Sequence, residues 1–585
     1  MCSVLRPPLV LLCFLFTWAA SAHAQDYHLH KFERQQLTNV YFSEGANAGD
    51  INGDGKPDVI SGPYWYEGPD FKTKHEIYPA KPQNREAYAD NFFNWVYDFN
   101  GDGWNDVLVV GFPGKPAYVY ENPGPGHYDK PWKKHEVLKS VGNESPQFVN
   151  LVGDAQPELV CTMNGFFGYA SFVPKKGFEP WTFHVVSVMD APKQFGHGLG
   201  IGDLNGDGLQ DIIIATGWFE QPAKDADTQR WEFHRVAFTT AYGGAEMHVY
   251  DVDGDGLNDV ITSLAAHDFG LAWYKQVKKD GTTVFQKQLI MGDRPADNPF
   301  GLVFSELHSV ALVDMDGDGL KDIVTGKTYY SHHRQSPMWD AGAVVYWFKL
   351  ERTPEGVRWI PHKIDGQAGI GRQISIVDVN GDKLPDIVVG GMVGAHVLTH
   401  KRERVSKAQW EAAQPKLMKF ATAPSIRGPQ SVLDSKTGKV AGAMEGEDLR
   451  IEKVTAGRTV VQQMTGFKKD RWSGNAQLFW TGGKPGETLT LTIEVGATGE
   501  YDVSAVMTMA KDYAIVQLAM DGKPLGKSLD LYNAPDVVTS GVLKLDTVTL
   551  KEGSHRLSIQ ITGANPAAVQ AFMVGLDYIL LKPTK

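Results

Sequence analysis

Seven times the chain sets a short acidic, glycine-rich loop in front of a run of β-branched residues, and no other feature limits its fold so strongly. Five copies are clear: DINGDGKPDVI from Asp50, DFNGDGWNDVL from Asp98, DLNGDGLQDII from Asp203, DVDGDGLNDVI from Asp251 and DMDGDGLKDIV from Asp314. A weaker copy, DVNGDKLPDIV, starts at Asp378, and a degraded one, NLVGDAQPELV, at Asn150. Successive starts lie 48, 52, 53, 48, 63 and 64 residues apart. Such a period means one supersecondary unit per repeat, hence a propeller, a solenoid or an array.

Each good loop offers side-chain oxygens at positions 1, 3, 5 and 9, with glycine turning the chain between them, and an all-oxygen set suits a hard cation such as Ca2+. The ligand sets are Asp50, Asn52, Asp54 and Asp58; Asp98, Asn100, Asp102 and Asp106; Asp203, Asn205, Asp207 and Asp211; Asp251, Asp253, Asp255 and Asp259; Asp314, Asp316, Asp318 and Asp322; Asp378, Asn380, Asp382 and Asp386. An EF-hand needs its last acid at position 12 between two helices, whereas here the acid falls at 9 and opens a strand. The six loops hold 20 aspartates, and six Ca2+ would offset the formal net charge of −12. Bound metal therefore accounts for the acidity, and nucleic acid is not an expected partner.

A second motif recurs between the loops, an aromatic followed at a short interval by histidine: Trp132 to His135, Trp181 to His184, Trp231 to His234 and Trp359 to His362, more loosely Phe71 to His75. Tyr27-His-Leu-His30 is another copy, and it precedes the first acidic loop. The chain thus opens with the outer strand of a unit whose other strands come from the far end, which is how a ring closes. The expectation is an all-β fold: a seven-bladed propeller over residues 25–400, with residues near 27–34 completing the blade of Asp378. Aromatics such as Trp65, Trp218 and Trp273 are expected to pack between blades.

The first 24 residues carry Arg6, an apolar stretch from Leu9 to Ala20 and Ala22-His23-Ala24, the pattern of a cleaved secretory signal. Secretion or a periplasmic location is the expectation, with no membrane span. Cys2 and Cys13 would leave with the signal, and Cys161 alone allows no internal disulfide. Residues 401–439 are mixed and charged, with one helix expected at Ser406 to Ala413, and are taken as a linker. From 440 to 585, alternating strands separated by Gly and Pro turns indicate a β-sandwich.

Six residues before the successive loops stand Glu44, Phe92, Glu144, His197, Ala245, His308 and Arg372. At about 3.3 Å per strand residue, these begin the innermost strands on the face opposite the loops. His267, Lys327, Tyr329, Tyr64 and Trp218 should return to that face, joined by His248. The converging Glu44, Glu144, His197, His267, His308, Lys327 and Arg372 suit an acid, a base and a carboxylate clamp, or the ligands of a softer metal such as Zn2+. Two plainer roles stay open: the histidines bonding backbone at strand entries, and both glutamates pairing with Arg372.

The loops, as D-x-[DN]-G-D-G-x-x-D plus an apolar strand, resemble the FG-GAP or VCBS repeat over roughly residues 40–400. Gly62-Pro-Tyr-Trp-Tyr-Glu-Gly-Pro, Gly196-His-Gly-Leu-Gly, His308-Ser-Val-Ala-Leu-Val-Asp and Thr325-Gly-Lys-Thr-Tyr-Tyr-Ser-His resemble the propeller of the aldos-2-ulose dehydratase family. That resemblance implies metal-assisted elimination on a keto-sugar, with His197 and His308 as the histidines carried over. The C-terminal segment is similar to galactose-binding-like or carbohydrate-binding sandwiches. By that similarity Glu445, Glu447 and Asp577 hold a structural Ca2+, and Trp472, Trp480, Tyr532 and Asn533 contact sugar.

Two functions follow as expectations: a secreted carbohydrate lyase or dehydratase acting at the propeller mouth on a keto-sugar or uronate, or a non-catalytic glycan- or protein-binding propeller.

Overall fold

The computed structural model describes residues 26–239, 243–329, 336–418 and 426–584. The expected secretory signal, and Tyr330, Ser331 and His332 of the family-like stretch, lie outside these. The fold is all-β. Among the described residues there are seven four-stranded antiparallel units, each with its acidic loop between the first and second strands, followed by two C-terminal sheets.

The first blade comprises Asn47–Gly49, Asp58–Ser61, Tyr64–Tyr66 and Lys74–Glu76. The fourth and fifth share one eight-stranded sheet because their innermost strands, Leu199–Gly202 and Glu246–Tyr250, pair in parallel. The seventh consists of Ile374–Val377, Asp386–Val389, Ala395–Val405 and, as its outer strand, Tyr27–Thr38 from the opposite end of the chain. Eleven residue pairs from Tyr27↔Val405 to Thr38↔Ala395 close the ring. Gly45 and Gln373 form a parallel bridge between the first and seventh blades.

The core lies between blades, not within one. Ile60 and Trp65 of the first blade pack on Val107, Val109 and Trp132 of the second. Val388 and Val397 of the seventh pack on Val59 and Tyr66 of the first. A fully buried aromatic removes about 150–250 Å² from water, worth several kcal/mol at about 25 cal/mol/Å². Repetition of such residues in successive blades makes the ring self-supporting. Trp65 and Trp218 are buried there, stacked on the outer-strand histidines His75 and His234. Trp218 thus packs between blades as expected and, contrary to the count along its strand, does not reach the mouth.

The strand Ala395–Val405 runs into the stretch taken as linker, and the helix follows at Lys407–Ala413, capped by Ser406. Beyond it, one sheet is built on Arg458–Gln463, Ala476–Thr481, Val574–Pro583 and Gly499–Met509, the other on Arg450–Val454, Thr488–Val495, Gly553–Ala564 and Ala514–Met520. Their facing side chains form one apolar core. Among the described residues no helix is long and apolar enough to cross a membrane.

Candidate functional site

Each acidic loop is wound around its first aspartate. Asp50 Oδ1 accepts from Gly53 N at 2.8 Å and Asp54 N at 3.2 Å, and Oδ2 from Gly55 N at 2.9 Å. Gly53 and Gly55 sit at φ 74° and 82°, which explains why glycine recurs at both positions. The ninth residue has a second duty. Asp58 is buried, and its oxygens accept from Ile51 N and from Gly68 N beyond the third strand, both at 2.8 Å. Carboxylate oxygens carry further lone pairs, so these bonds leave room for a cation. Acid oxygens gather within 4.8 Å of one another at Asp251, Asp253 and Asp255, and at Asp314, Asp316 and Asp322. Such acidic clusters are consistent with calcium sites. The degraded loop keeps the turn, with Gly153 N donating to Asn150 Oδ1 at 2.7 Å, but has Val152 at position 3.

On the opposite face the mouth brings together six of the seven proposed residues in a continuous series of contacts. Arg372 lies between two glutamates, its Nε 3.3 Å from Glu144 Oε2 and its Nη1 3.3 Å from Glu44 Oε2. Tyr41 donates to Glu44 Oε1, and Ala89 N donates to the same oxygen at 3.2 Å. Glu144 Oε1 lies 4.0 Å from His197 Nε2, whose neighbour is His267 Nε2 at 3.2 Å. His267 Nδ1 is in turn 3.0 Å from His308 Nε2. Lys327, the seventh, is buried at the end of its strand with Nζ 3.1 Å from Thr328 O.

One member was not visible in the sequence. Glu306, in the irregular connection between the fifth and sixth blades, is fully buried, and neither carboxylate oxygen has a hydrogen-bond partner. Its Oε2 lies 3.4 Å from His308 Nδ1 and 4.0 Å from His267 Nδ1. A left-handed φ of 64° and the bond from His308 N to Glu306 O, 3.0 Å, turn both side chains inward. The only signal was the lengthened 63-residue spacing between Asp251 and Asp314, which betrays inserted chain.

Burial sets the protonation of this group. It pushes His197 and His308 well below the ordinary imidazole value, so both are neutral, the form that accepts a proton or binds metal. It raises the Glu144 carboxyl, against the pull of Arg372. It lowers Lys327 to about 8, with Glu306 opposing. His267 is the accessible histidine, its side chain 33% exposed against 4% for His197 and 1% for His308.

One other expected mouth residue is elsewhere. His248 bonds Val310 O at 2.7 Å beside an axial cavity lined also by Trp95 and Glu246. Tyr64 packs on Phe42 and Tyr66. Tyr329 is exposed.

In the sandwich, Glu445, Glu447 and Asp577 do approach one another. Ser473 links two of them, Oγ donating to Glu445 Oε1 at 2.7 Å and N to Asp577 Oδ1 at 3.0 Å, while Glu445 Oε2 and Glu447 Oε2 are buried without hydrogen-bond partners. Trp472 and Trp480 cannot stack on sugar. Each is 1% exposed, with its indole N–H given to Thr508 and to Ala456 O respectively.

Comparison with known families gives matches to the FG-GAP-like repeat at residues 98–161, 251–325 and 314–389, and to the FG-GAP repeat at 195–226. The propeller thus contains FG-GAP-like repeats. It is similar to integrin alpha-6 of Gallus gallus, 23% identical over 158 residues, 24% of this chain; the chain spans only 14% of that relative's length. Similar solved structures include a Paenibacillus xanthan lyase (10% identity, 92% of this chain and 42% of that one, TM-score 0.22) and an exo-beta-1,3-galactanase from Phanerochaete chrysosporium (12%, 95% and 100%, 0.25). A family 35 carbohydrate binding module from Clostridium thermocellum is similar to 24% of this chain over 98% of its own (16%, TM-score 0.17). Likenesses this distant bear on neither activity nor substrate.

Proposed function

We propose that this is a secreted, calcium-stabilised carbohydrate lyase or dehydratase that eliminates across a carbon–oxygen bond of a keto-sugar or uronate at the mouth of the propeller. The observation that carries it is the chain of contacts from Arg372 through Glu144, His197, His267 and His308 to Glu306, in which burial keeps two imidazoles neutral beside a carboxylate with no hydrogen-bond partner. The carbohydrate class follows from the resemblance of the Gly196 and His308 motifs to sugar dehydratase propellers. The signal-like N-terminus supports secretion.

Elimination needs a base for the proton beside a carbonyl, charge to stabilise the enolate and an acid for the departing oxygen. His197, neutral and next to Glu144, takes the proton. Electrons of the broken C–H bond pass to the carbonyl oxygen, where the Lys327 ammonium offsets the charge. They then expel the β-oxygen, which Glu144 protonates, burial having raised its carboxyl toward the protonated form. Arg372 positions Glu44 and Glu144. Imidazole and carboxylate donors together suit Zn2+, which His267, Glu306 and His308 would hold and which would polarise the carbonyl when bound. The acidic loops, with oxygen donors alone, would hold Ca2+.

Mature protein mixed with keto-sugars, keto-glycosides and uronate polysaccharides should give ultraviolet absorbance from a conjugated product. His197→Ala should abolish it, and Glu306→Gln should lower both it and the zinc content. A flat trace across the panel with glycan binding retained would sink the lyase and leave a binding propeller.

A further inference from the structure

The six acidic loops are not equivalent. In each, the Oδ1 of the ninth-position aspartate accepts the N–H of a residue in or just beyond the third strand: Gly68, Asn122, Gln221, Gln276, Leu350 and His400 in turn. The residue just before that N–H therefore occupies the same place in every blade, beside the loop. In the first, second and fourth blades it is Glu67, Glu121 or Glu220, each turned away to an outer-strand histidine at 2.7 Å. In the seventh it is Thr399.

In the fifth and sixth blades it is lysine. Lys275 Nζ touches Asp253 and lies 3.0 Å from Asp255 Oδ2. Lys349 Nζ touches Asp316 and lies 2.6 Å from Asp318 Oδ2. Both ammonium groups bridge the acids at loop positions 3 and 5. The same two loops alone carry aspartate at position 3, where the others have Asn52, Asn100, Asn205 and Asn380. Lysine at this strand position and aspartate at loop position 3 thus occur together in both blades and apart in none of the six; Lys56 and Lys401 lie 3.4 Å and 4.0 Å from the position-5 acids of the first and seventh loops, each on one acid, without bridging two. Four carboxylates and one ammonium carry the net charge of three carboxylates and an asparagine, the set of the seventh blade with Thr399; in the first, second and fourth blades the glutamate at the same place adds one negative charge, which its histidine bond turns away from the loop.

We propose that Lys275 and Lys349 are resident cations: their ammonium groups hold the fifth and sixth loops, while calcium holds the loops of the first, second, fourth and seventh blades. The proposal rests on the calcium reading above, divides its six sites into two classes, and takes the gathered acids of the fifth and sixth loops as drawn together by the ammonium groups. An ammonium between two carboxylates neutralises charge and donates hydrogen bonds without leaving the chain. Calcium at these two loops must displace it, so their folding does not wait on calcium concentration. One side of the ring would stay closed in calcium-poor surroundings.

Hydrogen exchange on the full chain, in calcium and in chelator, separates the classes. Chelation should speed exchange by about tenfold or more at residues 50–58, 98–106, 203–211 and 378–386, and by no more than about twofold at 251–259 and 314–322. Lys275→Met should make 251–259 respond to calcium like the others. If that variant does not fold, Asp253→Asn with Lys275→Glu, which copies Asn205 and Glu220 of the fourth blade, should give the same result. Six loops responding equally would overturn the resident lysines and leave the calcium reading standing. No response at any loop would overturn both.

Discussion

His30 Nδ1 and His400 Nε2 lie 2.8 Å apart across the seam where the N-terminal strand joins the seventh blade. One ring must donate and the other accept, so the contact fails when both are protonated. Burial first, then nearby cations, lowers His30 to about 4; burial first, then His30, lowers His400 to about 4. With unfolded values near 6.5 the native state binds fewer protons between these limits. Stability is therefore fully present above about 6.5 and is lost as pH falls toward 4. Thermal melts over that range should drop more steeply for the wild type than for His400→Gln, which does not titrate. Parallel curves would show that the pair is not a pH-sensitive closure.

Much of this seam was legible because it is periodic. Tyr27 to His30 repeats an outer-strand motif ahead of any loop, and only a closed ring gives that strand a partner. Counting back six residues found Glu44, Glu144, His197, His308 and Arg372, since strand rise is fixed and the innermost strands are short and regular. The same counting misplaced Trp218 and His248, because distance along a strand does not say which way a side chain faces. Glu306 lies on no strand and was invisible to any period. Trp472 and Trp480 looked like sugar platforms only because aromatic residues serve cores and surfaces alike until register is known.

The weak loop of the seventh blade carries a removable strain. Lys383 stands at φ 67° where the five clear loops have glycine at φ 82° to 93°. A side chain there costs about 1–2 kcal/mol, partly offset by the greater freedom glycine gives the unfolded chain. Lys383→Gly should raise stability by about 0.5–1 kcal/mol in denaturant titrations, and Gly55→Lys should lower it by a similar amount. A destabilised Lys383→Gly would mean that the lysine side chain contributes more than its backbone costs.

Lys327 sets the alkaline limit of the proposed reaction. Burial brings its amine to about 8, so the ammonium is lost as pH rises through that value. The profile of kcat/KM should fall above pH 8. Lys327→Arg, charged throughout, should keep activity to higher pH even if its maximum is lower. An unshifted alkaline limb would remove Lys327 from the role of charge stabiliser.

The sandwich acids make a prediction whose sign depends on calcium. Asp577 is buried beside Glu445 and Glu447; burial, then the neighbouring acids, raises it to about 8. Without a cation the native state holds Asp577 protonated at neutral pH, a cost the unfolded chain does not bear, and Asp577→Asn removes that cost while its side-chain oxygen can still accept from Ser473 N. The variant should therefore melt higher than the wild type in chelator. With calcium the order should reverse, since a ligand at 100 times its Kd adds about 3 kcal/mol to the wild type that a lost carboxylate forfeits. Glu447→Gln, which removes a charge from outside the Ser473 link, should behave alike. If calcium raises the melting temperatures of wild type and both variants equally, the three acids are a buried cluster that takes no cation, and the carboxylates without hydrogen-bond partners are held by packing alone.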